Sequence, residues 1–259
     1  MEIKDVMTKD VITVDKDVNL QQVLKLMKKH EITKIPVLEE KKLVGVITDN
    51  IIAVKLGSIR KKGVPASRLH ASSVTDKVFE TVSPTTEVVS ILKKVGEPGP
   101  TMLNVTVDNN LVGVVTKADL LHLVKSKIKL RDIMSKDIHT VAPDDRVVHA
   151  RRILIDEHIA RLPVVDDGKL VGVISDTEIA FAFASVKKSF PLGRQKHQLE
   201  ELHVGDVMKT PAVWTEPNMS ATDAAKIMMK KNVGFLPLIE NNKIIGIVTR
   251  TDLLKTVKL

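Results

Sequence analysis

The chain has 259 residues, of which 43% are hydrophobic and 28% charged, a composition typical of globular proteins and unlike that of disordered chains. The absence of cysteine excludes disulfides, thiolate metal sites and cysteine nucleophiles, and the longest apolar run, residues 179–184, is too short to cross a bilayer. We therefore expect a cytoplasmic protein that does not enter a membrane.

The net charge of +8 raises the question of nucleic-acid binding, since clustered basic side chains neutralise phosphates. The charge is spread, with short basic runs at residues 60–62, 125–131 and 187–196. Only 2% of residues are aromatic, so the stacking platforms of single-strand binders are missing. These runs are better interpreted as solvated linkers or helix ends, although a nucleic-acid-binding protein stays open as an alternative.

One block of 48 residues occurs four times, at residues 5–52, 73–120, 132–179 and 206–253, here called repeats 1 to 4. A repeat of this kind makes the supersecondary unit the object to explain. In every repeat a glycine is followed three residues later by a hydroxyl side chain: Gly45 and Thr48, Gly113 and Thr116, Gly172 and Ser175, Gly246 and Thr249.

Taken in chain order, each repeat predicts the same elements. In repeat 1 these are an opening helical turn at residues 5–7, a short strand at 11–14, a helix with apolar residues at helical spacing, and two strands at 35–38 and 43–47. A final helix begins at the hydroxyl residue. The unit is a β-α-β-β-α arrangement of the α/β class, and its uncovered apolar face requires a partner copy.

The distances between the four glycines predict how the copies pair. Gly45 and Gly113 lie 68 residues apart, Gly113 and Gly172 59, and Gly172 and Gly246 74. The chain therefore looks like a duplicated two-repeat module, with modules at residues 1–124 and 125–259. Residues 53–72 and 180–205 are the expected linkers inside the modules, and residues 121–131 the linker between them.

The repeats resemble cystathionine beta-synthase (CBS) domains, which carry a strand like Ile35-Pro36-Val37 and a strand end like Gly-x-x-Thr/Ser followed by Asp. The resemblance covers all four repeats. It implies four CBS-type β-α-β-β-α repeats paired into two Bateman modules, whose clefts bind AMP, ADP, ATP or S-adenosylmethionine and regulate another domain or protein.

The resemblance also implies which residues hold the ligand. A carboxylate and a nearby hydroxyl suit a ribose diol, since charge-assisted hydrogen bonds are the stronger kind. Thr116 with Asp119 and Thr249 with Asp252 match the family's Thr-x-x-Asp ribose pair, Ser175 with Glu178 is a near match, and Thr48 is followed by Ile51, which cannot accept a hydrogen bond. The same pattern is also a capping box that needs no ligand.

For the phosphates, the family often places Arg or Lys two residues before the proline of the first hairpin strand. Lys34 and Arg161 stand there in repeats 1 and 3, whereas Met102 and Phe235 stand there in repeats 2 and 4. Each module would supply one such cation and one complete ribose pair. Arg250 is a further phosphate candidate.

Two departures from the family pattern concern the base-side wall of repeat 2, where Asn104 replaces the proline and a loop rich in glycine and proline occupies residues 96–100.

We find no pattern of histidines, nucleophile motif or nucleotide fingerprint that predicts an enzyme, a catalytic cofactor or a metal site. The leading hypothesis is a stand-alone regulatory sensor that binds an adenine nucleotide, with an unidentified effector protein and a second copy of the chain as candidate partners. A nucleic-acid-binding protein, an S-adenosylmethionine-binding module and a structural assembly module are the alternatives.

Overall fold

The computed structural model of the protein describes residues 1–57, 65–95 and 102–258. The basic run at residues 60–62 and the loop at residues 96–100 lie outside this part of the chain. Each repeat supplies a helix, a β-hairpin and a second helix that starts where the hairpin ends. The strands are β1 (Val14–Asp15), β2 (Lys34–Glu39), β3 (Lys42–Thr48), β4 (Glu80–Val82), β5 (Met102–Val107), β6 (Asn110–Thr116), β7 (Arg161–Asp166), β8 (Lys169–Ser175), β9 (Phe235–Glu240) and β10 (Lys243–Thr249).

The helices follow the predicted apolar spacing, because the residues at that spacing are the buried ones. The α-helices are α1 (Leu20–His30), α2 (Asp49–Gly57), α3 (Val88–Val95), α4 (Lys117–Leu120), α5 (Val147–Asp156), α6 (Asp176–Ser189), α7 (Leu192–Glu201), α8 (Val204–Val207), α9 (Ala221–Lys231) and α10 (Arg250–Leu254). The opening turns of the first three repeats are 3-10 helices at Ile3–Asp5, Ala71–Val74 and Leu130–Asp132, whereas repeat 4 opens with α8. The mixed α/β class with four repeats is thus confirmed.

Each hairpin turns through two residues in the left-handed region. Asn241 and Asn242 have φ of 50° and 61°, and Asp167 and Gly168 have φ of 46° and 76°. Such a pair matches the right-handed twist of the flanking strands, which explains why Asn, Asp and Gly stand there. The polar turns predicted between the two strands are therefore confirmed.

The strands of repeats 1 and 2 form one six-stranded sheet in the order β1-β2-β3-β6-β5-β4, joined where Lys42 pairs with Asn110. The hairpins β7–β8 and β9–β10 each form a two-stranded sheet. The strand predicted at residues 11–14 is wrong in its extent, since β1 contains only Val14 and Asp15, which pair in parallel with β2. In repeats 3 and 4 the corresponding contact is a single bridge.

The opening turns cross between neighbouring repeats. Thr8 of repeat 1 pairs with Val114 of repeat 2, and Asp76 of repeat 2 pairs with Val46 of repeat 1. Repeats 3 and 4 exchange their opening turns in the same way, through the pairs Ser135 with Ile247 and Lys209 with Val173.

The exchange of opening turns explains why a glycine recurs at the same place in every repeat. A Cβ added at Gly45 would lie 2.4 Å from the carbonyl oxygen of Asp76, and one added at Gly246 would lie 2.4 Å from Sδ of Met134. Only a residue without a side chain lets the opening turn of the partner repeat approach this closely.

The buried side chains form two clusters that each combine repeats from both halves of the chain. One cluster contains Leu20 and Ile47 of repeat 1 and Leu56 of α2 with Leu162 and Phe183 of the second half. The other combines repeat 2 with repeat 4. Strand contacts therefore join neighbouring repeats, whereas the cores are shared between repeats 1 and 3 and between repeats 2 and 4. The division at residue 124 stays a prediction.

The expected linker at residues 180–205 is largely helical, because α6 extends to Ser189 and α7 follows it. That it links the two repeats of one module stays a prediction. The apolar run at residues 179–184 explains the extension, since Ile179, Ala180 and Phe183 are buried against repeat 1. Lys187 in the third basic run is also buried, so this part of the run is not a solvated face.

Candidate functional site

The first complete ribose pair lies at the junction of β6 and α4. Asp119 Oδ2 accepts hydrogen bonds from the backbone nitrogen of Thr116 at 2.7 Å and from its hydroxyl at 2.6 Å. Thr116 Oγ1 in turn accepts from the backbone nitrogen of Ala118 at 3.2 Å. The capping interpretation therefore holds at this position, but it occupies only one oxygen of the carboxylate.

The second complete pair has the same geometry at the junction of β10 and α10. Asp252 Oδ2 accepts from the nitrogen and the hydroxyl of Thr249 at 2.8 and 2.7 Å. Asp252 also lines a cavity of about 370 Å³ together with Ile128, Ile133, Lys255, Thr256 and Lys258. Ile133 belongs to repeat 3, so the cavity lies between two neighbouring repeats, and its volume falls in the range of small-molecule sites.

The two remaining junctions are capped without a complete ribose pair. The Ser175 hydroxyl donates to Glu178 Oε2, which is the near match expected from the sequence. In repeat 1 the Thr48 hydroxyl accepts from the backbone nitrogen of Ile51 at 3.2 Å, and Ile51 has no side-chain acceptor. That repeat 1 makes no ribose contact stays a prediction.

The basic residues predicted for the phosphates lie close enough together to shift one another's pKa. Burial lowers the pKa of Lys34 to about 8; the negative charge of Asp49 raises it, and the positive charges of Lys117, Arg161 and Arg250 lower it further. These four basic residues, here called the central cations, come from all four repeats. The phosphate candidates of the two modules thus form one cluster rather than two separate sites.

Arg250 is a largely enclosed member of this cluster. Burial lowers its pKa to about 10, with a further decrease from Arg161 and an opposing effect from Asp119. Its Nε atom is buried and has no hydrogen-bond partner within the part of the chain that the structure describes. A buried donor without a partner is costly, and an anionic ligand would satisfy it.

Arg161 extends from the start of β7 toward repeat 4. A Cβ added at Gly234 would lie 2.9 Å from its Nη1 atom, so the glycine leaves room for the guanidinium.

Lys117 was missed by the sequence prediction. Its Nζ donates to Thr251 Oγ1 at 2.7 Å, a contact that joins repeat 2 to repeat 4. Burial lowers the pKa of Lys117, and Asp252 acts in the opposite direction. Each complete ribose carboxylate therefore has beside it a basic residue from the other half of the chain, Lys117 near Asp252 and Arg250 near Asp119.

The residues of repeats 1 and 3 that correspond to Lys117 and Arg250 are acids, Asp49 and Asp176. Asn50 Nδ2 donates to Asp176 Oδ2 at 3.1 Å, and the Thr177 hydroxyl donates to Asp49 Oδ2 at 2.5 Å, so the two junctions exchange hydrogen bonds. Burial raises the pKa of Asp176 to about 6, and Asp49 adds to the increase. A signal for this arrangement is in the sequence, because the residue after each capping hydroxyl alternates acid, base, acid, base.

Asn104 replaces the strand proline without opening the fold. It is fully buried, its Nδ2 donates to the carbonyl oxygen of Glu80 at 3.0 Å, and its Oδ1 has no hydrogen-bond partner among the described residues. The asparagine therefore ties β5 to β4 through its side chain.

Within residues 1–57, 65–95 and 102–258, no group of three or more His, Asp or Glu side chains is placed to hold a metal ion. Over the same ranges, no helix has both the length and the apolarity needed to cross a bilayer.

Comparison with known families accounts for all four repeats. The model of the CBS domain matches residues 3–56, 71–126, 130–185 and 204–259. The chain belongs to the CBS-domain family. The four matches enclose every capped strand-to-helix junction described above, so the family relationship includes the candidate site.

Two archaeal relatives from Methanocaldococcus jannaschii match nearly the whole chain. The uncharacterized protein MJ1404 is 27% identical over 98% of this chain, which spans 61% of that protein. The uncharacterized protein MJ1225 is 24% identical, with 98% of this chain and 97% of that protein covered. The crystal structure of MJ1225 superposes with a TM-score of 0.84 at 21% identity over 98% of this chain and 99% of that one, which confirms the fold.

CBS-domain proteins with adenosine compounds are found among the solved structures that match about half of this chain. CBSX2 was solved in complex with AMP, at 28% identity and a TM-score of 0.41, with 49% of this chain and 94% of that one covered. A CBS-domain pair of protein MJ0100 was solved with 5′-methylthioadenosine and S-adenosylmethionine. It is 28% identical with a TM-score of 0.42, and the match covers 49% of this chain and 94% of that one.

Proposed function

We propose that this chain is a cytoplasmic regulatory protein that binds an adenine nucleotide, AMP, ADP or ATP, in clefts between neighbouring repeats. The ribose binds Asp119 or Asp252, and the phosphates face the central cations Lys34, Arg161 and Arg250 together with Lys117. The observation that carries this proposal is the position of two ribose-type carboxylates beside one buried cluster of basic residues.

The carboxylates suit a ribose because capping leaves them acceptor capacity. A carboxylate has about four lone-pair positions, and Thr249 uses the two on Oδ2 of Asp252. The other oxygen is available to the two hydroxyls of a ribose. The cavity beside it has apolar walls, Ile128 and Ile133, against which a purine base can pack.

The central cations favour a phosphate-bearing ligand over S-adenosylmethionine. Burial lowers the pKa of Lys34 to about 8, and the positive charges of Lys117, Arg161 and Arg250 lower it further, because buried basic side chains close to one another repel each other. A phosphate group relieves this repulsion and offers acceptors to Nε of Arg250. The sulfonium of S-adenosylmethionine carries a positive charge and would add to the repulsion.

Regulation follows from where the ligand lies. A nucleotide that contacts residues of several repeats stabilises the arrangement in which those residues are close together, and it shifts the equilibrium by its difference in affinity for the two arrangements. An unidentified effector protein, or a second copy of the chain, then responds to the arrangement of the repeats.

The proposal is tested by titrating AMP, ADP, ATP and S-adenosylmethionine by calorimetry into the wild-type chain and into the Asp119→Ala/Asp252→Ala double variant. We expect the phosphate ligands to bind the wild type and the double variant to lose at least about ten-fold in affinity, because each charge-assisted bond contributes strongly. Asp223→Ala is the matched control, since Asp223 also caps a helix, through Ser220, but has none of the central cations beside it. Unchanged nucleotide affinity in the double variant would remove both carboxylates from the function.

A further inference from the structure

The two complete ribose pairs differ in one contact, made by the opening turn of the neighbouring repeat. Thr8 is held in place by two backbone hydrogen bonds with Val114, at 2.9 and 3.0 Å. From this position its hydroxyl donates to Asp119 Oδ1 at 2.8 Å. Asp119 therefore has protein donors on both of its oxygens, Thr116 on Oδ2 and Thr8 on Oδ1.

The equivalent residue in the second half of the chain is Ser135. Its backbone pairs with Ile247 at 2.9 and 3.0 Å, and Ile247 lies two residues before the capping Thr249, as Val114 lies two residues before Thr116. The backbone register is therefore the same in both halves. The Ser135 hydroxyl, however, donates to the carbonyl oxygen of Asp137 at 3.4 Å and not to Asp252.

The consequence is a difference in acceptor capacity between two otherwise matching sites. Counting donors among the described residues, three of the four lone-pair positions of Asp119 are occupied, two by Thr116 and one by Thr8, whereas Thr249 occupies two of the four positions of Asp252. Asp252 can accept both hydroxyls of a ribose on Oδ1. Asp119 can do so only when Thr8 releases its hydrogen bond.

Asp252 opens onto the cavity of about 370 Å³ that Ile128 and Ile133 line.

We infer that the two clefts fill in a fixed order, with the Asp252 cleft first, and that Thr8 is the residue that sets the order by competing with the ribose for Asp119. This inference rests on the proposed nucleotide binding and adds its regulation. The Asp119 cleft then responds only at higher nucleotide concentration, which extends the concentration range over which the protein responds.

The order of filling is tested by calorimetric titration of AMP into the wild type and the two single carboxylate variants. We expect a tighter and a weaker step in the wild type, with the tighter step lost in Asp252→Ala and the weaker step lost in Asp119→Ala. Loss of the tighter step in Asp119→Ala would overturn the inference. If wild type does not bind AMP, or if both steps survive in both variants, the proposed function itself fails.

The role of Thr8 is tested in the Asp252→Ala background, where only the Asp119 cleft reports. Thr8→Val keeps the shape of the side chain and removes the hydroxyl, and we expect it to tighten AMP binding by roughly three- to ten-fold, since the lost bond is an exposed one to a charged group. Thr8→Ser keeps the hydroxyl and should retain the parent affinity. Ser135→Ala is the matched control and should leave the affinity unchanged. A Thr8→Val variant that binds AMP equally well or more weakly would show that Thr8 does not compete with the ribose.

Discussion

The pKa of Lys34 leads to a sharp prediction about the pH dependence of nucleotide binding. The ammonium group is buried among Lys117, Arg161 and Arg250, with Asp49 as the opposing charge, and its pKa is about 8. A nucleotide phosphate beside it stabilises the charged form and so raises this pKa. Binding therefore takes up a proton, and the affinity must fall as the pH rises through 8.

The size of the effect follows from the fraction of Lys34 that is protonated in the free protein. With a pKa of about 8, roughly nine molecules in ten carry the proton at pH 7 and roughly one in ten at pH 9. If AMP binds the protonated form, its affinity falls about ten-fold over this interval. The phosphate of AMP has its second pKa near 6, so the ligand stays a dianion throughout.

The assay is calorimetric titration of AMP at pH 7, 8 and 9. Titrations at pH 8 in two buffers of different ionisation enthalpy should show an uptake of about half a proton per bound AMP. Lys34→Arg keeps the charge across the interval because an arginine does not deprotonate, so its affinity should stay nearly constant. Lys42→Arg, a change on the exposed start of β3, should retain the ten-fold fall. A flat wild-type profile, or an equal fall in Lys34→Arg, would refute the assignment of Lys34 to the phosphates.

Two further predictions concern stability. Burial raises the pKa of Asp176 to about 6 from a usual value of 3.8, so the folded protein holds this proton more tightly than the unfolded chain does. The free energy of unfolding therefore falls by up to about 3 kcal/mol as the pH rises from 4 to 6. Asp176→Asn should reduce that fall and raise the melting temperature at pH 7.5, and a lower melting temperature would contradict the stated cause. Gly45→Ala places a Cβ 2.4 Å from the Asp76 carbonyl oxygen and should lower the free energy of unfolding by about 1–3 kcal/mol in urea titrations. The matched control Gly193→Ala in α7, where a Cβ meets nothing within 4 Å, should leave stability equal or raise it by up to about 1 kcal/mol, and equal effects of the two changes would show that the close approach at Gly45 is unimportant.

Much of the fold could be predicted because it depends on local patterns. Apolar residues at helical spacing, paired hairpin residues such as Asn241 and Asn242, and a hydroxyl before each final helix act over a few residues, and the structure has each of them where the repeat alignment predicts. Because the four repeats share one register, an element predicted in one repeat is predicted in the other three as well.

The parts that could not be predicted depend on contacts between residues distant in the chain. The bond from Thr8 to Asp119 spans 111 residues, and the bond from Lys117 to Thr251 spans 134. The spacing of the glycines predicted that repeats 1 and 2 pair as one module and repeats 3 and 4 as another, but it carried no information on the cores that join repeat 1 to repeat 3 and repeat 2 to repeat 4. Residues 180–205 were expected to be a linker, but α6 and α7 occupy much of this segment, and Pro191 lies at the N-cap of α7, where its missing N–H has no consequence.

The central claim is that a ribose binds the carboxylate of Asp252 while its phosphate faces the central cations. A crystal structure of the chain grown with AMP tests this most directly. We predict both ribose hydroxyls within hydrogen-bond distance of Asp252, with the phosphate beside Lys117 and the other central cations. AMP bound away from Asp252, or with its phosphate turned to solvent and its ribose held by other groups, would contradict it.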